Sequence, residues 1–171
     1  MVIRAAVKDD IFNISRLYAL SWKKAYVGIV PQGYLDRLRD DAWTIKFEDD
    51  MENGWLKYNV AVENGCIVGC IAFGKPCSGQ ETGTSGNYEI QSLYVHPDYF
   101  RNGIGSALME YAFSKIRESG GNGAYLWVAD KNDAAKNFYN KMGFEITARK
   151  LEVEMDGEII TDYMAVKKLD D

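Results

Sequence analysis

The sequence predicts an α/β fold in which a mixed sheet of about seven strands carries helices on both faces. In the middle of the chain strand-like and helix-like runs alternate, which calls for parallel neighbours joined by crossovers. Each flank instead carries two strand-like runs that meet at a tight turn, Asn64-Gly65 on one side and Asp156-Gly157 on the other. Parallel and antiparallel pairing must then coexist in one sheet. A third observation locates the central helix: an apolar run ending at Val95 passes through a short loop and the segment FRNGIGS straight into an amphipathic stretch.

Each element has its own reason. Residues 2–6 read as a first strand, after which Asp9 or Asp10 is expected to cap a helix whose apolar positions Ile11, Ile14, Leu17 and Tyr18 recur at helical spacing. Gly28 breaks that helix. Pro31 suits the opening of a short helix over 31–38, and Asp41 begins another that ends near Asn53 and Gly54. With 31–54 counted as one helical segment, the order is strand, helix, helix, three strands, helix, strand, helix, two strands. Runs at 58–63 and 67–73 flank Asn64-Gly65 and should lie antiparallel. The stretch 76–87, PCSGQETGTSGN, has almost nothing apolar and reads as a mobile loop able to act as a lid. A strand at 89–95, a helix at 103–118, a strand at 124–129 and a helix at 133–142 closed by Gly143 follow, then strands at 144–154 and 158–168. A single domain over 1–171 accommodates all of them.

Composition narrows the function classes. The net charge of −5 and the scattered basic residues argue against a nucleic-acid-binding face, and a cationic acceptor is compatible with them. Cys66, Cys70 and Cys77 form no CxxC pair, and one histidine leaves no cluster with zinc spacing, so neither a disulfide framework nor a metal is expected. The opening MVIRAAVKDD is charged too early for a signal peptide, and no apolar run approaches the roughly 20 residues of a membrane span. A soluble, cytoplasmic protein is the expectation, without nucleic acid or membrane as partner; a homodimer is compatible.

The chemistry concentrates at the start of the helix over 103–118. A helix that opens on Gly103 and Gly105 leaves its first N–H groups unpaired at the positive end of the macrodipole, an arrangement that binds anions. Glycine at alternate positions lets the main chain approach a pyrophosphate, and Arg101 can add a charge-assisted contact. This window, Phe100, Arg101, Asn102, Gly103, Ile104, Gly105, and Ser106 after it, resembles the acyl-CoA-binding loop of the GNAT superfamily of N-acyltransferases. That loop begins with Gln or Arg where this chain has Phe100. Because it works mainly through backbone N–H groups, the resemblance implies retained binding with altered side-chain contacts. The order of elements is similar to the GNAT fold over nearly the whole chain.

Two further blocks carry the same resemblance. In NDAAKNFYNKMGF, Asn132, Ala135 and Tyr139 match family positions where the Asn meets the pantetheine region and the Tyr hydroxyl serves as general acid beside the thioester sulfur. Spacings of three and four put them on one helical face, and a tyrosine with an ordinary pKa near 10 stays protonated at neutral pH. A helix N-cap is a further role open to Asn132, one it could combine with ligand contact, and ordinary packing is the other role open to Tyr139. EIQSLYV resembles the acyl-binding strand, implying that main-chain groups of Leu93, Tyr94 and Val95 meet the pantetheine amides and that an N–H near Leu93 or Tyr94 stabilises the thioester oxygen.

For a base, Glu89 is the first candidate: it lies two pleat repeats from Leu93, so strict alternation would put both on one sheet face. His96 is the alternative titratable group, although its position before Pro97 suits a loop. Trp22 and Tyr26, in SWKKAYVGIVP, offer an aromatic wall for an amine. Cys66 and Cys70 have no histidine partner, which leaves no covalent nucleophile. The reading that follows is an acetyl-CoA-dependent N-acetyltransferase working by direct attack of a small-molecule or peptide amine. A non-catalytic acyl-CoA sensor is the rival, while a dinucleotide-binding oxidoreductase is disfavoured because no glycine fingerprint follows the first strand.

Overall fold

The computed structural model describes residues 1–76 and 87–169. The expected mobile loop at 76–87 and Cys77 therefore fall, apart from its end residues, outside the described residues. The first strand, β1 (Val2–Ala5), is followed by a single 3-10 turn and then by α1 (Ile11–Ala25), α2 (Gln32–Arg37) and α3 (Thr44–Asn53). The segment between Pro31 and Gly54 thus resolves into two helices. Gly54, at φ +66°, ends the second of them in the left-handed region. Strands β2 (Lys57–Glu63), β3 (Cys66–Gly74) and β4 (Asn87–Val95) come next. They lead into α4 (Ile104–Glu118), β5 (Gly123–Ala129), α5 (Asp133–Lys141), β6 (Glu145–Met155) and β7 (Glu158–Lys168).

Both hairpins form where the turn residues put them. Asn64 and Gly65 have φ of 50° and 78°, and Asp156 and Gly157 of 50° and 82°, the positive values that such turns need. The sheet order is β1-β2-β3-β4-β5-β7-β6. Among the described strands only β4 and β5 are parallel neighbours; β7 slots between β5 and β6, antiparallel to both. The alternation of strands and helices had suggested parallel neighbours throughout the middle. The terminal hairpin overrides it, because its return strand pairs with β5 along seven rows and pushes β6 to the edge.

Alternation along the strands supplies a core to each face. On one face Ala61, Ile71, Phe73 and Ile90 meet Leu108, Met109, Ala112 and Phe113 of α4, with Ala135, Phe138, Tyr139 and Met142 of α5 alongside. On the other, Val60, Cys70 and Ala72 meet Ile14, Leu17 and Tyr18 of α1 and Phe47 of α3. α4 packs closely because β3 carries Gly69, where a Cβ would stand 2.8 Å from Leu108 and 2.9 Å from Ile104.

The start of α1 differs from its expected cap. Asp10 makes no side-chain cap bond to the helix. Its carboxylate instead accepts from Arg4 at 2.6 and 2.9 Å and from the Val7 N–H at 2.9 Å, so the charge is spent on tying β1 to the helix entry. Among the described residues no helix is long and apolar enough to cross a membrane.

Candidate active site

The site begins where β4 and β5 part. They pair over only three rows, Asn87↔Gly123, Tyr88↔Ala124 and Glu89↔Tyr125, although β4 runs on to Val95 and β5 to Ala129. Beyond Glu89, β4 keeps its partner β3, with Leu93 opposite Ile71 and Tyr94 opposite Cys70. The edge of residues 91–95 that faces away from β3 therefore opens into a cleft. α1 holds this free end in place: Ser21 Oγ donates to the Val95 carbonyl at 3.2 Å, and the Trp22 indole N–H donates to Tyr94 Oη at 2.8 Å.

A bulge within β4 changes one expectation. Cross-strand partners step from Ala72↔Ser92 to Phe73↔Ile90, which makes Gln91 an extra residue and reverses the alternation on either side of it. Leu93 and Val95 pack towards α4, as Ile90 does. Tyr94 and Ser92 face α1, with Ser92 hydrogen-bonded to Tyr18. Glu89, opposite Gly74, belongs to this second set, so it shares a sheet face with Tyr94 rather than with Leu93. Strict period-two counting fails because the bulge adds one residue between the two positions. Glu89 is half-buried and accepts from Tyr125 Oη at 3.2 Å; burial raises its pKa above the usual carboxylate value and the Tyr125 bond opposes that.

At the far end of β4 the chain turns through Pro97–Tyr99 into the glycine loop. His96 caps this turn, its Nδ1 accepting from the Asp98 N–H at 3.3 Å, as a residue of the loop after β4. Phe100 lies 44% exposed at the position of the family's Gln or Arg. Arg101 and Gly103 both adopt positive φ, 64° and 78°, and Gly103 is the N-cap of α4. Asn102 and Ser106 are exposed, whereas the Ile104 side chain is buried in the core and leaves only its main-chain N–H for the site. A Cβ on Gly103 would meet nothing within 4 Å, and one on Gly105 only Phe138 and Val95 at 3.5 Å or more. Packing inside the chain thus does not demand the second glycine, and the ground in front of the helix start stays clear.

Tyr139 reaches the cleft from α5. Asn132 caps that helix, its Oδ1 accepting from the Ala135 N–H at 3.1 Å, so it takes the cap role. Ala135 and Tyr139 follow on the buried face, Tyr139 packing edge-on against Phe138 and Phe144. Burial raises its pKa above the ordinary tyrosine value, and the hydroxyl of Tyr26 adds to the effect. Tyr94 likewise feels Tyr26 and Tyr139. Tyr139 packs on the α4 side and Tyr26 and Tyr94 on the α1 side, and the three hydroxyls lie within electrostatic reach of one another across the opening between β4 and β5. Trp22 stacks on Tyr26 with centroids 4.6 Å apart and planes 26° apart. The structure therefore gathers Trp22, Tyr26, Tyr94 and Tyr139, while Glu89 lies roughly 15 Å back along the strand from Tyr94.

Two residues of this neighbourhood gave no signal in the sequence. Tyr125 is fully buried and orients Glu89. Asp162, opposite Ala129, is half-buried on the face that Tyr125 and Trp127 share, and its charge is felt by Tyr26. The exposed Cys66 and the buried Cys70 lie on β3; burial pushes the Cys70 thiol up, away from nucleophilic character.

Comparison with known proteins identifies the family. Residues 14–144 match the acetyltransferase (GNAT) family. The chain belongs to that family. An uncharacterised N-acetyltransferase of Bacillus subtilis is 28% identical over 134 residues, covering 77% of this chain and 73% of that protein. An L-amino acid N-acyltransferase of Escherichia coli is 30% identical over 94 residues, 55% of this chain and 53% of that protein. In three dimensions this acetyltransferase resembles the PaiA N-acetyltransferase of Thermoplasma acidophilum in complex with coenzyme A, with a TM-score of 0.75, 21% identity and coverage of 98% and 99% of the two chains. YncA of Salmonella typhimurium with its cofactor acetyl-CoA gives 0.73, 24%, 99% and 94%. The last two likenesses are of fold.

Proposed function

We propose that this acetyltransferase moves an acetyl group from acetyl-CoA to a primary amine by direct attack within a ternary complex. The observation that carries the reading is the three-row ladder between β4 and β5, which opens beside a glycine loop, with Tyr139 of α5 packed on the α4 side of the same sheet. Main-chain N–H groups of residues 101–106 supply the anion cradle that a diphosphate requires, with Arg101 beside it. The free edge at Leu93 to Val95 offers N–H and C=O groups to the pantetheine amides, and an N–H near Leu93 or Tyr94 stabilises charge on the thioester oxygen. Coenzyme A bound to the Thermoplasma protein and acetyl-CoA bound to the Salmonella protein support the same ligand here.

The bulge at Gln91 gives the two substrates separate approaches. Acetyl-CoA lies along the α4 side, and the amine comes from the α1 side, where Trp22 and Tyr26 stand and Glu89 lies further back along β4. The ammonium releases a proton to water, which can relay it towards Glu89. The free amine adds to the thioester carbonyl to form the C–N bond, and the C–S bond breaks as the CoA sulfur leaves as thiolate while the nitrogen gives its second proton to water. Tyr139, kept protonated by burial, donates a hydrogen bond to that sulfur. No enzyme nucleophile takes part. Calorimetry with acetyl-CoA, then an amine panel read by thiol release, tests the reading: binding and amine-dependent CoA production are expected. Binding without release would make the chain an acyl-CoA sensor, and an absence of binding would overturn the proposal.

A further inference from the structure

Asp162 is a carboxylate on the α1 side of the sheet, flanked by Thr161 and Ala129, which line one recess together with Ile29 from the loop after α1, and its charge reaches Tyr26. Three observations define its position. It sits on β7 opposite Ala129, the last residue of β5, at the end of the sheet where β5 has parted from β4. It is half-buried, on the face that carries Tyr125 and Trp127. Among the described residues its carboxylate makes no hydrogen bond and no ion pair, whereas the more deeply buried Asp10 holds Arg4 and Asp50 holds Lys46 and Tyr58. The folded chain supplies a cation for those two carboxylates and none for Asp162.

The surroundings suit an ammonium. Tyr26, stacked on Trp22, forms an aromatic wall within electrostatic reach of Asp162, and a cation flanked by a carboxylate and ring faces recovers much of the solvation that it loses. The hairpin that carries Asp162 closes this side of the molecule. Asp156 at its turn pairs with Arg37 of α2, and Met155 packs against the cluster of Val30, Leu35 and Leu38. Asp162 is thereby fixed against the α1–α2 region rather than swinging on a free strand.

Resting on the transferase reading above, we propose that Asp162 binds the ammonium of the acceptor beside Trp22 and Tyr26, and that the acceptor is an amine with no carboxylate next to its amino group. An α-amino acid, the class for which the Escherichia coli relative is named, would set its own carboxylate against Asp162. Two like charges in a half-buried recess repel, and neither has a cation to relieve it. The specificity follows from charge and does not depend on the acceptor's length.

The test compares phenethylamine with phenylalanine, which differ only in the carboxylate, using the full chain with acetyl-CoA. The wild-type protein should favour phenethylamine in kcat/KM by at least about tenfold, the scale of one charged contact. Asp162→Asn, which keeps the shape and removes the charge, should raise KM for phenethylamine by about tenfold, largely erase the preference, and leave acetyl-CoA affinity unchanged within about twofold. Asp162→Glu should restore part of the preference. Calorimetric titration of both compounds into the CoA-loaded protein reads the same discrimination without turnover. Equal use of both compounds by the wild type, or an unaltered ratio in Asp162→Asn, overturns this assignment while leaving the transferase reading intact. A protein that neither binds acetyl-CoA nor releases thiol with any amine overturns both.

Discussion

At the scale of single residues, the proposed chemistry rests on two groups whose ionisation burial has moved. Tyr139 is held above the ordinary tyrosine value, so it is a full hydrogen-bond donor at neutral pH. Replacing it with Phe keeps the ring packed against Phe138 and Phe144 and removes only the hydroxyl. The expected loss in kcat is about 10²-fold with acetyl-CoA affinity little changed, measured by steady-state kinetics and calorimetry. Glu89 is shifted in the same upward direction, which has a consequence for stability whose sign is definite. A carboxylate with a raised folded pKa binds more protons folded than unfolded, so stability falls as pH rises from the ordinary carboxylate value towards the folded one. Glu89→Gln lacks this penalty and can still accept from Tyr125. Thermal melts should therefore show the variant more stable than the wild type at pH 7, with the difference fading below about pH 4, where both states are protonated. The same variant should lose the acid limb of the kcat/KM profile. A gain in stability joined to a loss of rate is what a functional carboxylate predicts, and a purely structural one would give the opposite sign.

At the scale of elements, the glycine loop and the helix after it were legible because the requirement is local. Gly103 at φ +78° starts α4 with its N–H groups facing outward, and neighbouring residues in sequence suffice to say so. Gly103→Ala should lower stability by about 1 kcal/mol from backbone strain alone, since its Cβ meets nothing, and weaken acetyl-CoA binding by roughly tenfold as the loop shifts. Chemical denaturation and calorimetry separate the two effects. Both hairpins were legible for the same reason, through Asn64-Gly65 and Asp156-Gly157. What escaped was long-range. Gln91 looks like any exposed strand residue, and only the register with Ala72 and Phe73 reveals that it is inserted and that Glu89 changes face. Asp162 was silent because its neighbours depend on β7 lying beside β5, and the order of helices and strands along the chain does not specify that insertion. The cap at Asp10 misled for a related reason: Arg4, six residues away across a turn, outbid the helix amides for the carboxylate.

At the scale of the whole molecule, the sheet consists of two halves. One is β1-β2-β3-β4 and the other β5-β7-β6, and the main-chain ladder joins them over three rows only. The core under α4 spans both halves, since Ile71 and Phe73 of the first and Leu126 and Val128 of the second belong to one cluster. At the open end of the cleft, however, the edge of β4 facing away from β3 has no strand beside it. A ligand seated in the opening takes the place of the missing rows and bridges the halves, so binding and stability must rise together. At a concentration one hundred times its Kd, acetyl-CoA should contribute about 2.7 kcal/mol. For a chain of this length that corresponds to an increase in Tm of roughly 5–11 °C. Hydrogen exchange should localise the effect: amides of residues 91–95 and 101–106 should gain protection, and those of β1 and β2, far from the cleft, should not. The gain should be smaller in Gly103→Ala at equal ligand concentration and unchanged in Asp162→Asn, because the first alters the anion cradle and the second only the acceptor side. A melt indifferent to acetyl-CoA would mean that the gap between β4 and β5 is a feature of the fold alone.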